Sequence, residues 1–316
     1  MTDGGPTKQR VAVRTQLEMT HGECAAKTRR VLDTLVDVSS GVARISAPDL
    51  ASLFGPTFFG LDRTRLFQQA HPHTKAAVLR ECTQCLLHEA YFIEKAGIAY
   101  CARMVLEAED TEERQIYSVI GAHEAIHLEW ITACLAPSSR PGAPDPFACF
   151  LSELIETGDR HSLVYVLQVI LEGWGIDHYR SLASNCRLPG VARVFEAVVR
   201  DEALHHASGK ALFDPGALSE SRHSWIEEAL ASFLHMVRIG PQTVVAVLNR
   251  INGGLDLDQR ERIFKALDAE RTSHTNLMRL KQLIAQPGME STADRLHESG
   301  LFSPCSPREC AAVSPE

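Results

Sequence analysis

The chain has 316 residues, 45% of them hydrophobic and 23% charged, with a formal net charge of −8. That length holds one large domain or two small ones with an ample core, and the composition is ordinary for a soluble globular protein. An acidic balance without a basic, aromatic-interleaved patch gives no general attraction to nucleic acid or to anionic lipid.

The opening stretch MTDGGPTKQRVAVR lacks the apolar centre of a signal peptide, and no run of 18 apolar residues occurs, so a cytoplasmic location is expected. Nine cysteines are scattered through apolar helical segments, as reduced core thiols would be. Cys82 and Cys85 form a C-x-x-C, but it lies inside a helical pattern and has no second pair. Helix packing explains it better than zinc or redox chemistry.

Strand-like alternation is scarce, and proline and glycine fall between long periodic segments, so an all-α fold is expected. Residues 1–20 read as a flexible N-terminus. A first helix is expected over 22–38, then a stretch over 47–60 broken by Pro and Gly, then a long helix over 73–108. The chain turns at 109–111, where Asp110 or Thr111 caps a helix running to about 135, with Glu112 and Glu113 suiting its first turn. APSSRPGAPDP (136–146) is a proline-rich crossover. A shorter helix follows over 147–156, and a break at 157–159 starts another that ends around 185–190. The next runs to about 213, where Asp214-Pro215-Gly216 stops it. Three more helices are expected over 221–239, 242–252 and 258–285. The tail over 286–316, rich in Pro, Ser and charge, reads as flexible. A single helical domain is therefore expected over 21–285.

The helix of residues 160–185 poses a problem of charge. SLVYVLQVIL (162–171) is almost wholly apolar, and Glu172 follows it directly. An unpaired carboxylate buried there would cost several kcal/mol, so it must be neutralised, paired or metal-bound. Thirty residues on, RDEALHH places Glu202 and His205 in E-x-x-H, whose two side chains share one helix face. The turn at 187–189 lies midway, so a helical hairpin brings Glu172 and Glu202 to the same depth. The arrangement also occurs upstream. GAHEAIH holds Glu124 and His127, Glu94 stands thirty residues before Glu124, and the turn near 109 is again the midpoint. FIEKAGI (92–98) aligns with ILEGWGI (170–176). Glu89 competes for the first position, but the internal repeat and the hairpin depth favour Glu94.

Four glutamates and two histidines directed into one bundle are intolerable as bare charges, whereas two divalent cations neutralise four carboxylates. A Glu from each of two helices and Glu-x-x-His from the other two, in two hairpins joined by one long crossover, resembles the ferritin-like di-iron and di-manganese carboxylate proteins. The resemblance covers roughly 75–213. It implies a ferritin-like four-helix bundle with additional N- and C-terminal helices. One metal would take Glu94, Glu124 and His127, and the other Glu172, Glu202 and His205, with Glu124 and Glu202 bridging. Asp201 resembles the acid that orients the opposite histidine, here His127. His123 stands at the matching place of the first motif, a departure that leaves the support of His205 open. His88, His178 and His206 are read as structural.

Oxygen-rich ligation with two imidazoles suits two iron ions, or a mixed manganese–iron pair, with dioxygen as co-substrate. Gly97 and Gly175 sit three residues after Glu94 and Glu172, and Gly121 three before Glu124. Glycine inside a helix costs about 1 kcal/mol relative to alanine. These three positions therefore mark either a cavity for oxygen or substrate, or close helix packing.

Within the superfamily, the second C-x-x-C of rubrerythrin-type peroxidases is missing. About 100 residues beyond the fourth ligand helix exceed a storage ferritin. Where the small subunit of ribonucleotide reductase would carry its tyrosine stands Ile131. The resemblance thus implies an oxygenase or oxidase of a small organic substrate, like p-aminobenzoate N-oxygenase, the acyl desaturases or the aldehyde-deformylating oxygenases. N-oxygenation or C-hydroxylation of a biosynthetic intermediate is the expected reaction, with a ferroxidase as the alternative. An electron donor or reductase and a homodimer are the expected partners, with no nucleic acid and no membrane.

Overall fold

The computed structural model describes residues 14–17, 26–40, 46–136, 141 and 143–313. Every regular element among them is helical. In chain order they are α1 (Ala26–Ser40), α2 (Leu50–Leu53), α3 (Arg65–Gln69), α4 (Pro72–Glu107), α5 (Thr111–Cys134), α6 (Pro146–Thr157), α7 (Arg160–Leu163), α8 (Glu172–Asn185), α9 (Pro189–Leu212), α10 (Glu220–Arg238), α11 (Gln242–Ile251), α12 (Leu257–Ala266), α13 (Ala269–Ile284), α14 (Glu290–Glu298) and α15 (Pro307–Val313). A π-helical segment, Val164–Leu171, joins α7 to α8. Among the described residues no single helix is long and apolar enough to cross a membrane.

Helix starts follow ordinary capping chemistry. The Asp110 carboxylate accepts the Glu113 N–H and opens α5, Asp145 accepts the Ala148 N–H and opens α6, and Asp256 with Gln259 forms a capping box on α12. Pro72, Pro146 and Pro189 stand at helix starts, where the missing N–H costs nothing. Short connections make α4 and α5 one antiparallel hairpin. The π segment with α8, folded back on α9, forms the other, and α5 meets α9 between them.

One residue keys the two hairpins together. Gln168, the lone amide of the apolar run, is buried in the π segment. Its Oε1 accepts the hydroxyls of Tyr100 on α4 and Tyr117 on α5, at 3.1 and 3.2 Å. Its Nε2 donates to the His205 carbonyl and to Ser208 Oγ on α9, at 3.0 and 2.8 Å. The π-helical widening lies immediately before Glu172, as such bulges often lie at functional sites. At the far end of the bundle, buried Glu113 takes both Nε and one terminal nitrogen of Arg160 at 2.9 and 2.7 Å, tying α5 to α7.

The main core fills the bundle and continues through α6, α10, α13 and α14. A second, smaller core joins the start of α4 to α11, α12 and α15. Cys82 packs there as a buried thiol, and neither it nor Cys85 belongs to a metal-capable group among the described residues.

Three expectations need correction. The segment from 286 is folded: α14 and α15 are helical, and Met289, Leu296, Leu301, Phe302 and Cys310 are buried. The helix expected over 258–285 is two helices, because Asp268 takes a left-handed conformation at φ 56° between α12 and α13. The N-terminal segment lies mostly outside the described residues, but Leu17 is buried, its carbonyl accepts Lys95 Nζ at 2.6 Å, and the Thr15 N–H donates to Glu156. Residues 137–140 and 142 of the crossover also lie outside the described residues.

Removing the chain beyond Gln286 strips those buried side chains from both cores. A shift of about 2–4 °C per kcal/mol holds for a domain of this general size, so the thermal midpoint should fall by at least about 5 °C. A truncated protein that melts with the full chain would show that α14 and α15 contribute nothing.

Candidate metal centre

The two E-x-x-H motifs meet inside the bundle. Glu94, Glu124, His127 and Glu202 offer ligand atoms that all lie within 4.8 Å of one another. Glu124, Glu172, Glu202 and His205 do the same. Glu124 and Glu202 belong to both sets, which is the sharing expected of bridging carboxylates. Glu94 and His127 are fully buried, Glu124, Glu202 and His205 nearly so, and Glu172 is partly open.

The histidines are oriented from behind. His127 turns Nδ1 to the cluster, 3.2 Å from Glu94 Oε2 and 3.8 Å from Glu202 Oε1, while its Nε2 lies 3.1 Å from Asp201 Oδ2. Asp201 thus stands where the sequence expected it, accepting the Nε2–H and fixing the tautomer that leaves Nδ1 free to ligate. His205 does likewise: Nδ1 faces Glu124, and Nε2 lies 3.1 Å from His123 Nδ1. Burial lowers the His123 pKa, and a neutral ring there can accept an Nε2–H from His205 when Nδ1 of His205 is the ligating atom. The departure from Asp therefore replaces a charged support with a neutral one.

The donor set fits a metal pair on geometric grounds. Glu124 Oε1 and His205 Nδ1 are 3.1 Å apart, both buried, yet neither has a hydrogen bond. They satisfy each other only as an ion pair while the imidazole is protonated, and a shared cation would satisfy both. The electrostatics agree. Burial pushes the Glu124 carboxyl up to about 8 against the pull of His205. Glu202 is raised by burial and by Glu172. Burial would lower His127, but hydrogen bonds to Asp201 and Glu94 raise it to about 10. Without metal the cluster holds protons; with metal it releases them.

Two residues were missed. Tyr179 is buried and donates its hydroxyl to Glu94 Oε1. Its signal was its place seven residues after Glu172, on the same helix face. Gln168, described above, was visible as the one polar residue in SLVYVLQVIL.

A cavity of about 500 Å³ opens onto Glu124, Glu172 and Glu202, walled by α4, α6, α8 and α10. The three glycines part company around it. Gly175 lines it, and a β-carbon there would meet nothing within 4 Å. Gly97 also lines it, but a β-carbon there would come within 2.6 Å of Glu124 Oε2, so glycine is what lets that carboxylate approach α4. Gly121 is not in the wall; its β-carbon would lie 3.1 Å from Cys101 Cβ. Gly121 is a packing residue between α5 and α4 and, contrary to expectation, does not line the cavity. Glu89 joins neither ligand set and lies in the cavity wall. His178 lines the cavity too, held neutral by burial, which lowers it to about 4. His88 and His206 also stand outside both ligand sets.

No family model matches the chain, and the searches of curated proteins and of solved structures likewise give no match.

Glu172→Ala and His205→Ala should each drop metal content, counted as iron plus manganese, well below the wild-type value while the circular dichroism stays helical. Glu89→Ala should load like the wild type. A fully loaded His205→Ala would exclude this ligand assignment.

Glu89 makes a separate prediction. Burial, then the charge of Asp145, raises its carboxyl from 4.5 to about 7. A raised carboxyl holds its proton more tightly when folded, so its contribution is fully present below 4.5 and lost as the pH rises through 7. Glu89→Gln removes that loss. The variant should gain about 1–2 kcal/mol on the wild type between pH 5 and pH 8, allowing for water in the cavity. Equal denaturant midpoint differences at both pH values would show a freely hydrated carboxyl.

Proposed function

We propose that the chain is a ferritin-like dimetal carboxylate enzyme, an oxygenase or oxidase of a small organic substrate. The observation that carries this reading is the pair of ligand sets sharing Glu124 and Glu202 at the base of a half-open, mainly apolar cavity. Glu94 and His127 would hold one metal and Glu172 and His205 the other, with Glu124 and Glu202 between them. Oxygen donors with two imidazoles suit iron or a manganese–iron pair. Held there, such a pair would supply the electrons for dioxygen to oxidise the organic molecule, with an electron donor restoring the reduced state.

The chain's own residues have definable tasks. Asp201 and His123 accept the Nε2 protons of His127 and His205 and so aim each Nδ1 at the metal positions. The Tyr179 hydroxyl holds one oxygen of Glu94. Trp174, Phe147 and Phe233 give the chamber an apolar wall that would lower the local dielectric around the reacting atoms. A chamber this size is within the range that takes a small organic ligand and exceeds what passage of an ion needs, which favours oxygenase over ferroxidase.

The test begins with metal analysis of aerobically purified protein, where about two equivalents are expected. Oxygen uptake by the reduced protein should then depend on an added organic substrate. Gly175→Leu fills open space in the wall and leaves the ligands alone, so both metals should load while substrate-dependent uptake falls at least tenfold. Uptake that follows ferrous iron alone, unchanged in Gly175→Leu, would replace this reading with a ferroxidase.

A further inference from the structure

The charges of the cavity wall are all of one sign. Its carboxyl groups are Glu124, Glu172 and Glu202 at the metal end, with Glu89 and Asp145 at the other, and neither lysine nor arginine lines it. Two divalent ions would cancel the ligand carboxylates, Glu94 included. Glu89 and Asp145 would remain, and His178 is neutral. Asp145 also caps α6, so the positive end of that helix is already satisfied and does not recruit an anionic ligand. Glu89 is partly buried in the cavity wall, and its carboxyl has no side-chain hydrogen bond or ion pair among the described residues. A carboxyl group so placed lacks the counter-charge that buried acids ordinarily find.

The spacing along α4 sets a length. Glu89, Ile93, Ala96, Gly97 and Tyr100 recur at helical spacing and form one stripe of the wall. Gly97, against which Glu124 rests, is eight residues from Glu89, about 12 Å along the axis. The wall residues between them, Ile93 and Ala96, are apolar.

We infer that the substrate is an elongated amphipathic amine whose ammonium group is held by Glu89 and Asp145, while its apolar body runs along α4 towards Glu124. The oxidised atom is then remote from the nitrogen that anchors the molecule, separated from it by roughly 10 Å. A carboxylate or phosphate head group would meet two like charges and no cationic side chain. This assignment rests on the oxidase reading for its chemistry, but its recognition step can be measured without turnover.

The probes are octylammonium, 1-octanol and octanoate, three ligands of one length and three charges, titrated calorimetrically into the metal-loaded protein. Octylammonium should bind at least tenfold more tightly than octanol, and octanoate more weakly than octanol. Glu89→Gln should cost octylammonium about tenfold and leave octanol unchanged. Asp145→Asn, which keeps a capping side chain, should cost octylammonium less. Octanoate binding as tightly as the amine, or an amine affinity unmoved in the double variant Glu89→Gln/Asp145→Asn, would overturn the assignment. Metal content and oxygen uptake of the same samples report separately on the enzyme reading. A preparation inert to oxygen that still selects the amine through Glu89 sinks that reading and leaves this one.

Discussion

Four carboxylates and two imidazoles share one largely buried volume, and the rest of the molecule is organised around making that tolerable. Removing a carboxylate from water costs several kcal/mol even after relaxation, and each further like charge raises the cost. The fold groups the donors into two sets, each of which could hold a cation, and supports the imidazoles from behind. Gly97 gives up a side chain so that Glu124 can approach α4. The surrounding side chains are apolar because any weaker dielectric barrier would let water compete for the same donors.

The arrangement is twofold in pattern but not in charge. Asp201 supports His127 with a carboxylate, whereas His123 supports His205 with a neutral ring. A carboxylate partner raises the basicity of a ligating imidazole more than a neutral acceptor does. The two positions therefore differ in electron donation although their direct donors match.

Much of this was legible in the chain because the relevant signals are local and periodic. The repeated Glu-x29-Glu-x-x-His spacing carries both the hairpin geometry and the ligand positions, and α4, α5, α8 and α9 follow it closely. What escaped was either tertiary or sparse in pattern. α14 and α15 bury only a few residues each, so their apolar stripes are too short to rise above a polar composition. The break at Asp268 rests on one left-handed residue that no proline or glycine announces. Gly97, Gly121 and Gly175 look alike in sequence and differ only in what a neighbouring helix presents to them. Gln168 was in plain view, but the partners that make it significant lie 37 to 68 residues away.

That amide has a mechanical consequence. Gln168 offers two donor hydrogens and two acceptor lone pairs, and all four are engaged, by partners on three other helices. Sliding one hairpin past the other by a single turn, about 5.4 Å, would strand the amide and at least two tyrosine hydroxyls together. The bundle is thus latched against shear at the layer just above the carboxylate–histidine cluster.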